Sequence, residues 1–161
     1  MDSILQSSLY GMDFIKYRKN NSQQERKQFS NTVRTKGIGE IPIVIDSVDM
    51  QLSQLLAGAD ATRFKRNGKE FHFHQDLIID EIILEIRSRI KLDNISYKIL
   101  KLGLENGKIL EGKDILGDLY KKFKNQDDNI LYLLLTQETT MYSYILTLLR
   151  FVFGENFMKN S

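Results

Sequence analysis

Residues 129–136, Asn-Ile-Leu-Tyr-Leu-Leu-Leu-Thr, form an apolar run, so as a strand they are apolar on both faces. A strand of that kind belongs in the middle of a sheet. Glu40-Ile41-Pro42-Ile43-Val44-Ile45-Asp46 is a β-branched run that reads as another buried strand. Its Pro42 is the only proline in the chain. Lacking an N–H, it must sit at the strand's start, at a bulge, or with its nitrogen turned away from a neighbour. Lys69 to His74 alternates, with Phe71 and Phe73 on one face and His72 and His74 on the other. Directly after it, Ile79, Ile82, Ile83, Ile86 and Ile90 recur at helical spacing opposite Asp80, Glu81, Glu85, Arg87 and Ser88. This is the clearest helix in the sequence.

The remaining elements fill in around these. Ser96 to Leu102 reads as a strand, Asn106-Gly107 allows the positive φ of a tight hairpin, and a short strand at 108–110 is expected after it. Asp114 to Lys124 places Ile115, Leu116, Leu119, Tyr120 and Phe123 on one side of a short helix. Ser47 to Gly68 reads as a long, mobile connection holding a helical turn and a basic Arg63-Phe64-Lys65-Arg66 cluster. Residues 1–36 read as one or two short helices, with Phe29 and Val33 spaced i, i+4 on a surface helix, and Gly37-Ile38-Gly39 ends them. The order β, β, long helix, β, β, short helix, β predicts an α+β fold, the ubiquitin-like β-grasp roll, behind an N-terminal helical extension. The expected division is 1–39 for the extension, 40–140 for the ubiquitin-like domain and 141–161 for an atypical apolar tail.

Composition removes several classes of function. Lys plus Arg number 23 against 21 Asp plus Glu, a net +2, which disfavours a dedicated nucleic-acid binder. The small surplus is segregated: residues 1–39 hold seven bases against three acids. With no cysteine there is no disulfide framework, thiolate zinc site or cysteine nucleophile, and a reducing intracellular compartment fits. The N-terminus has no apolar stretch of signal-peptide type, and no window reaches the roughly 18 to 20 apolar residues of a spanning helix. His72-x-His74 are the only histidines and no carboxylate cluster completes a metal site around them. No phosphate-binding loop, dinucleotide fingerprint, zinc-protease helix or nucleophile elbow is present, so an enzyme has no residues to stand on.

Three stretches carry a family resemblance: Ile41-Pro42-Ile43-Val44-Ile45-Asp46; Asp76-Leu77 with Ile86-Arg87-Ser88-Arg89-Ile90; and Leu119-Tyr120 with Ile130-Leu131-Tyr132. Over roughly residues 40–140 the sequence resembles the autophagy-related ubiquitin-like modifiers of the GABARAP type. Phe14-Ile15-Lys16-Tyr17-Arg18-Lys19 is similar to the family's aromatic-then-basic segment. The resemblance implies a non-enzymatic adaptor without a cofactor. A processing protease and ubiquitin-like conjugation enzymes would join it through a C-terminal glycine to phosphatidylethanolamine. It would pass from the cytoplasm to the autophagosome membrane, where it recruits short linear peptides of autophagy receptors. Such a peptide adds to the open edge of the second strand while two of its side chains enter apolar pockets.

By matched position, Pro42, Val44, His72 and Ile130 would line the pocket for the peptide's aromatic residue. Phe71, Phe73, Leu77 and Ile82 would line the pocket for its aliphatic one. Val44 and Ile82 are equally well explained as plain core. Glu40 and Glu70 stand where the family carries basic residues, which would repel acidic peptides, while Arg87 and Arg89 remain to attract them. Glu85 and His72 make both pockets more polar than the family pattern.

The tail departs furthest. The family's glycine should fall near residue 142, where the chain reads Met141-Tyr142-Ser143, whereas an aromatic-glycine pair with a short tail occurs at Phe153-Gly154. Removing 141–150 would restore the family spacing, so these ten residues read as an insertion, and Gly154 is the expected site of lipid conjugation. The alternative is a ubiquitin-fold interaction module that is not conjugated and uses the apolar tail for docking or dimerisation.

Overall fold

The computed structural model describes residues 14–58, 69–90 and 98–139, with positions 145, 148, 149 and 151–153 of the tail. Its elements are α1 (Ile15–Asn20), α2 (Gln23–Lys36), β1 (Glu40–Asp46), α3 (Met50–Gly58), β2 (Glu70–His74), α4 (Ile79–Arg89), β3 (Lys98–Leu104), α5 (Leu116–Phe123) and β4 (Leu131–Thr139). The sheet order is β2-β1-β4-β3. β1 pairs antiparallel with β2 and parallel with β4, and β3 pairs antiparallel with β4. The strand that is apolar on both faces is therefore interior, as its composition requires. This is the ubiquitin-like β-grasp arrangement.

Each face of the sheet has its own core. On one, α4 turns Ile79, Ile82 and Ile86 inward against Ile43, Ile45, Phe71, Phe73, Leu102 and Leu133. On the other, α1 and α2 lay Phe14, Tyr17, Phe29 and Val33 over Val44, Ile130, Tyr132 and Leu134. The strict period of two along β1 and β4 feeds alternate residues to these two clusters. The N-terminal helices thus supply one whole layer of the fold.

Local chemistry fixes the helices. Ser22 and Glu25 form a reciprocal capping box at the start of α2, each side chain taking the other's backbone N–H. α4 has no side-chain cap. The backbone N–H groups of Ile79 and Asp80 donate instead to the carbonyls of Asp114 and Gly112, so the loop before α5 satisfies its first turn. A Cβ at Gly112 would meet the exposed Asp80 carboxylate, which would have to swing aside. Asp80 and Glu81 in the first turn of α4 and Arg87 and Arg89 in the last oppose the helix dipole.

Two expectations are corrected. The connection after β1 holds a nine-residue helix, α3, rather than a single turn. Leu52 and Leu56 anchor it in the core, and Asp49 Oδ1 accepts the Leu52 N–H. Residues 59–68, with the basic cluster, lie outside the described residues. The expected strand at 108–110 is reduced to one bridge, Gly103 to Ile109. The Asn106-Gly107 turn does form, with Gly107 at φ 90°, and Leu104 and Leu110 bond back to the hairpin. The chain then leaves the sheet to carry Gly112 and Asp114 to the α4 terminus.

Pro42 resolves among its three options. Ile45 N–H donates to the Lys69 carbonyl, so alternate residues of β1 turn their main chain towards β2, and Pro42 turns away from it. On that other side, pairing with β4 begins only at Ile43. The missing donor falls just before the ladder needs it.

Candidate functional site

β2 is an edge strand of the described sheet, and its register defines what it offers. Phe71 and Phe73 lie opposite Ile43 and Ile41, with their main chain turned to β1. By alternation, Glu70 and His72 turn their N–H and C=O groups outward, which is the geometry an added strand requires. Their side chains lie on the α1 face, while Phe71 and Phe73 point to the α4 face.

On the α4 face the two phenyl rings are buried and nearly parallel, with centroids 6.1 Å apart. The Arg89 guanidinium lies over both, 5.8 Å from the Phe71 centroid and 5.2 Å from that of Phe73. Glu85, one turn earlier, holds it at 3.3 Å. Leu77 is partly buried beside this cluster and Ile82 is fully buried within it. Arg87 is half-buried on α4. The structure therefore gathers Phe71, Phe73, Leu77, Ile82 and Arg89 in one region, with the cation covering the rings.

On the α1 face, Pro42 stands opposite His72 and Val44 opposite Glu70. His72 Nδ1 lies 3.0 Å from Glu40 Oε2, an ion pair when the imidazole carries both protons. His74 lies against Asp76 at 3.5 Å. Among the described residues no group of three or more His, Cys, Asp or Glu is placed to hold a metal. Val44 and Ile130 are completely buried, packed with Phe14, Tyr17 and Tyr132. Gly154 lies outside the described residues.

Sequence reasoning gave Tyr17 no role in this site. Its hydroxyl donates to Glu70 Oε1 at 2.9 Å, tying α1 to the edge strand. Burial, reinforced by the Glu70 carboxylate, raises its pKa far above the ordinary phenol value, so it remains a donor. Behind it, Tyr132 donates to the buried Asp128, and burial followed by that carboxylate likewise raises its pKa. Arg26 reaches Asp128 at 3.1 Å, and Arg18 sits 4.4 Å above the Tyr132 ring while bonding Glu105. These links join α1 and α2 to the sheet's far end. The only sequence signal for them was the aromatic-then-basic order of residues 14–19.

A second polar group fixes the start of β2. Lys69 Nζ donates to Asp46 Oδ2 at 2.9 Å and to Ser53 Oγ at 3.2 Å, and Ser53 donates to Asp46 Oδ1. Asp46 is buried, so one carboxylate at the end of β1 holds both α3 and the entry to β2. The whole assembly presents hydrogen-bonding backbone, two stacked rings and paired charges. That equipment suits binding an extended chain.

No family model matches the sequence, and no curated protein matches it. Among solved structures, the chain is similar to the crystal structure of Trypanosoma brucei ATG8, with a TM-score of 0.59 and 21% sequence identity, over 78% of this chain and 97% of that one. The fold is thus the ubiquitin-like β-grasp found in that ATG8.

Proposed function

We propose that this protein is an autophagy ubiquitin-like modifier that recruits short linear peptides at the edge of β2. The observation that carries the reading is the outward main chain of Glu70 and His72, set between the Phe71–Phe73 pair on one face and the Tyr17–Glu70 contact on the other. An extended peptide would add main-chain hydrogen bonds to that edge. Its aliphatic side chain would displace Arg89 from the rings. That displacement forfeits about 0.5–1 kcal/mol of exposed cation–π attraction and about 0.3–0.5 kcal/mol of the helical Glu85–Arg89 pair. Such a cap weakens binding without forbidding it. The aromatic side chain would dock beside Pro42 and His72, above the buried Val44 and Ile130.

The same reading assigns the protein a lipid-linked form. A processing protease would cut after Gly154, and conjugation enzymes would join that glycine to phosphatidylethanolamine, giving an autophagosome-bound adaptor with no catalytic role of its own. The similarity of the fold to an ATG8 and the Phe153-Gly154 pair support this.

The test is an amide-resolved NMR titration with a peptide bearing a tryptophan and, three residues later, a leucine. Saturable shifts centred on Glu70, His72 and Phe73 are expected. A spectrum that moves elsewhere, or nowhere, would remove the peptide-edge reading. The conjugation half is read separately, from the intact mass of protein taken from its own cells. A terminus at Gly154, with added lipid mass, is expected; an unmodified chain ending at Ser161 leaves the non-conjugated adaptor.

A further inference from the structure

Three groups hold the guanidinium of Arg89 in place. Phe71 and Phe73, with ring planes only 7° apart, lie under it at 5.8 and 5.2 Å from centroid to central carbon. Glu85, one turn earlier on α4, accepts its Nε–H at 3.3 Å. That bond uses Nε alone, and among the described residues Nη1 and Nη2 take no hydrogen-bond partner. The side chain is 40% exposed, so a ligand can reach it. A flat cation seated on two rings, anchored through Nε and open at both terminal nitrogens, is a preorganised fork. That shape binds a carboxylate through two parallel N–H···O bonds.

The same geometry disfavours an aliphatic occupant. Phe71 and Phe73 are each only 4% exposed, so a leucine arriving here finds almost no open ring surface to claim. It must first lift Arg89 away, and it then replaces one cover over the rings with another. A carboxylate leaves the arginine where it is. It keeps the cation–π contact and the Glu85 bond and adds charge-assisted hydrogen bonds at Nη1 and Nη2. Glu85 neutralises part of the guanidinium charge, so the attraction rests on the shape of the fork as well as on charge.

We infer that Arg89 is a specificity-determining residue of the β2 edge: it selects a peptide with an acidic side chain, rather than an aliphatic one, three residues after its aromatic residue. This rests on the peptide-edge reading above and names the class of peptide that the edge prefers.

The test titrates the full-length chain by NMR with three peptides that share one tryptophan and differ only three residues later, in leucine, glutamate or glutamine. Glutamate should bind about three- to tenfold more tightly than its uncharged isostere glutamine, and more tightly than leucine. In Arg89→Ala the order should cross. The glutamate peptide loses its margin over glutamine, while the leucine peptide binds more tightly because the rings are uncovered. A variant that merely unfolds would lose all three, and the comparison in the unaltered chain then decides alone. Leucine binding as tightly as glutamate, or glutamate no better than glutamine, overturns the inference and leaves the peptide edge standing. A glutamate margin that survives in Arg89→Ala assigns the acid to another cation and overturns it too. Binding by none of the three removes the edge and the inference together.

Discussion

Tyr17 and Glu70, 53 residues apart in sequence, meet through a 2.9 Å hydrogen bond that ties the first helix to the outer strand. Hydrogen bonds to charged groups contribute about 1.5–3 kcal/mol. Tyr17→Phe should therefore lower unfolding free energy by about 1–2 kcal/mol. In a double-mutant cycle with Glu70→Gln, a coupling of at least about 0.5 kcal/mol is expected from urea titrations. A coupling of zero would mean that the two groups are merely adjacent.

Alkaline pH should weaken the fold before any backbone chemistry intervenes. Tyr17 and Tyr132 both have pKa values raised by burial and by a carboxylate neighbour. Below the unfolded phenol value of about 10 both states keep the proton and the contribution is complete. Above it the unfolded chain loses the proton first, so stability falls as pH rises. Melting temperatures from pH 8 to 11 should decline. The Y17F/Y132F variant, less stable throughout, should show a shallower decline over the same range. Phenolate absorbance should show Tyr17 and Tyr132 titrating only on unfolding.

Loss of the buried Asp46 carboxylate should weaken the fold. Asp46→Ala leaves the Lys69 ammonium, whose side chain is only 12% exposed, with Ser53 Oγ but without its anionic partner, and removes an acceptor from Ser53. Breaking one side of a buried pair costs about 3–5 kcal/mol. The urea midpoint should fall with little change in slope. A loss below about 1 kcal/mol would show the pair to be solvated.

The acidic side chains beside the edge strand should set peptide choice. E40K/E70K reverses both charges and should raise affinity for an acid-flanked peptide by about tenfold at low salt, with the gain shrinking as salt is added. The variant also severs the Tyr17 and His72 contacts, so its melting curve must accompany the titration. A folded variant with no gain would sink the electrostatic argument.

How far these relationships were legible differs by scale. Unbroken apolar runs located β1 and β4 and periodicity located β2 and α4, because burial on both faces of a strand leaves a continuous run whereas burial on one face leaves a mark every two or every three to four residues. The Asn106-Gly107 turn announced itself through conformational demand. α3 was under-read because only Leu52, Leu55 and Leu56 mark its buried face. The hairpin's second arm was over-read, since nothing local says that residues 111–115 must leave to cap α4. In the site, the alternation of Phe71 and Phe73 with His72 was plain, but Arg89 over both rings, Tyr17 against Glu70 and Lys69 against Asp46 join residues with no shared period. Such pairings come from the tertiary fold and leave no local pattern.

The parallel pairing of β1 with β4 has a consequence during synthesis. Ile43 waits for Leu131, and Asp46's strand end for Leu134, so the two interior strands are among the first and the last elements made. Contacts this distant in sequence form slowly. A nascent chain that has emerged only as far as α5 exposes one whole edge of β1, together with the undersides of α1, α2 and α4. Until the last strand leaves the ribosome, the protein is a client for whatever shields unfinished sheets.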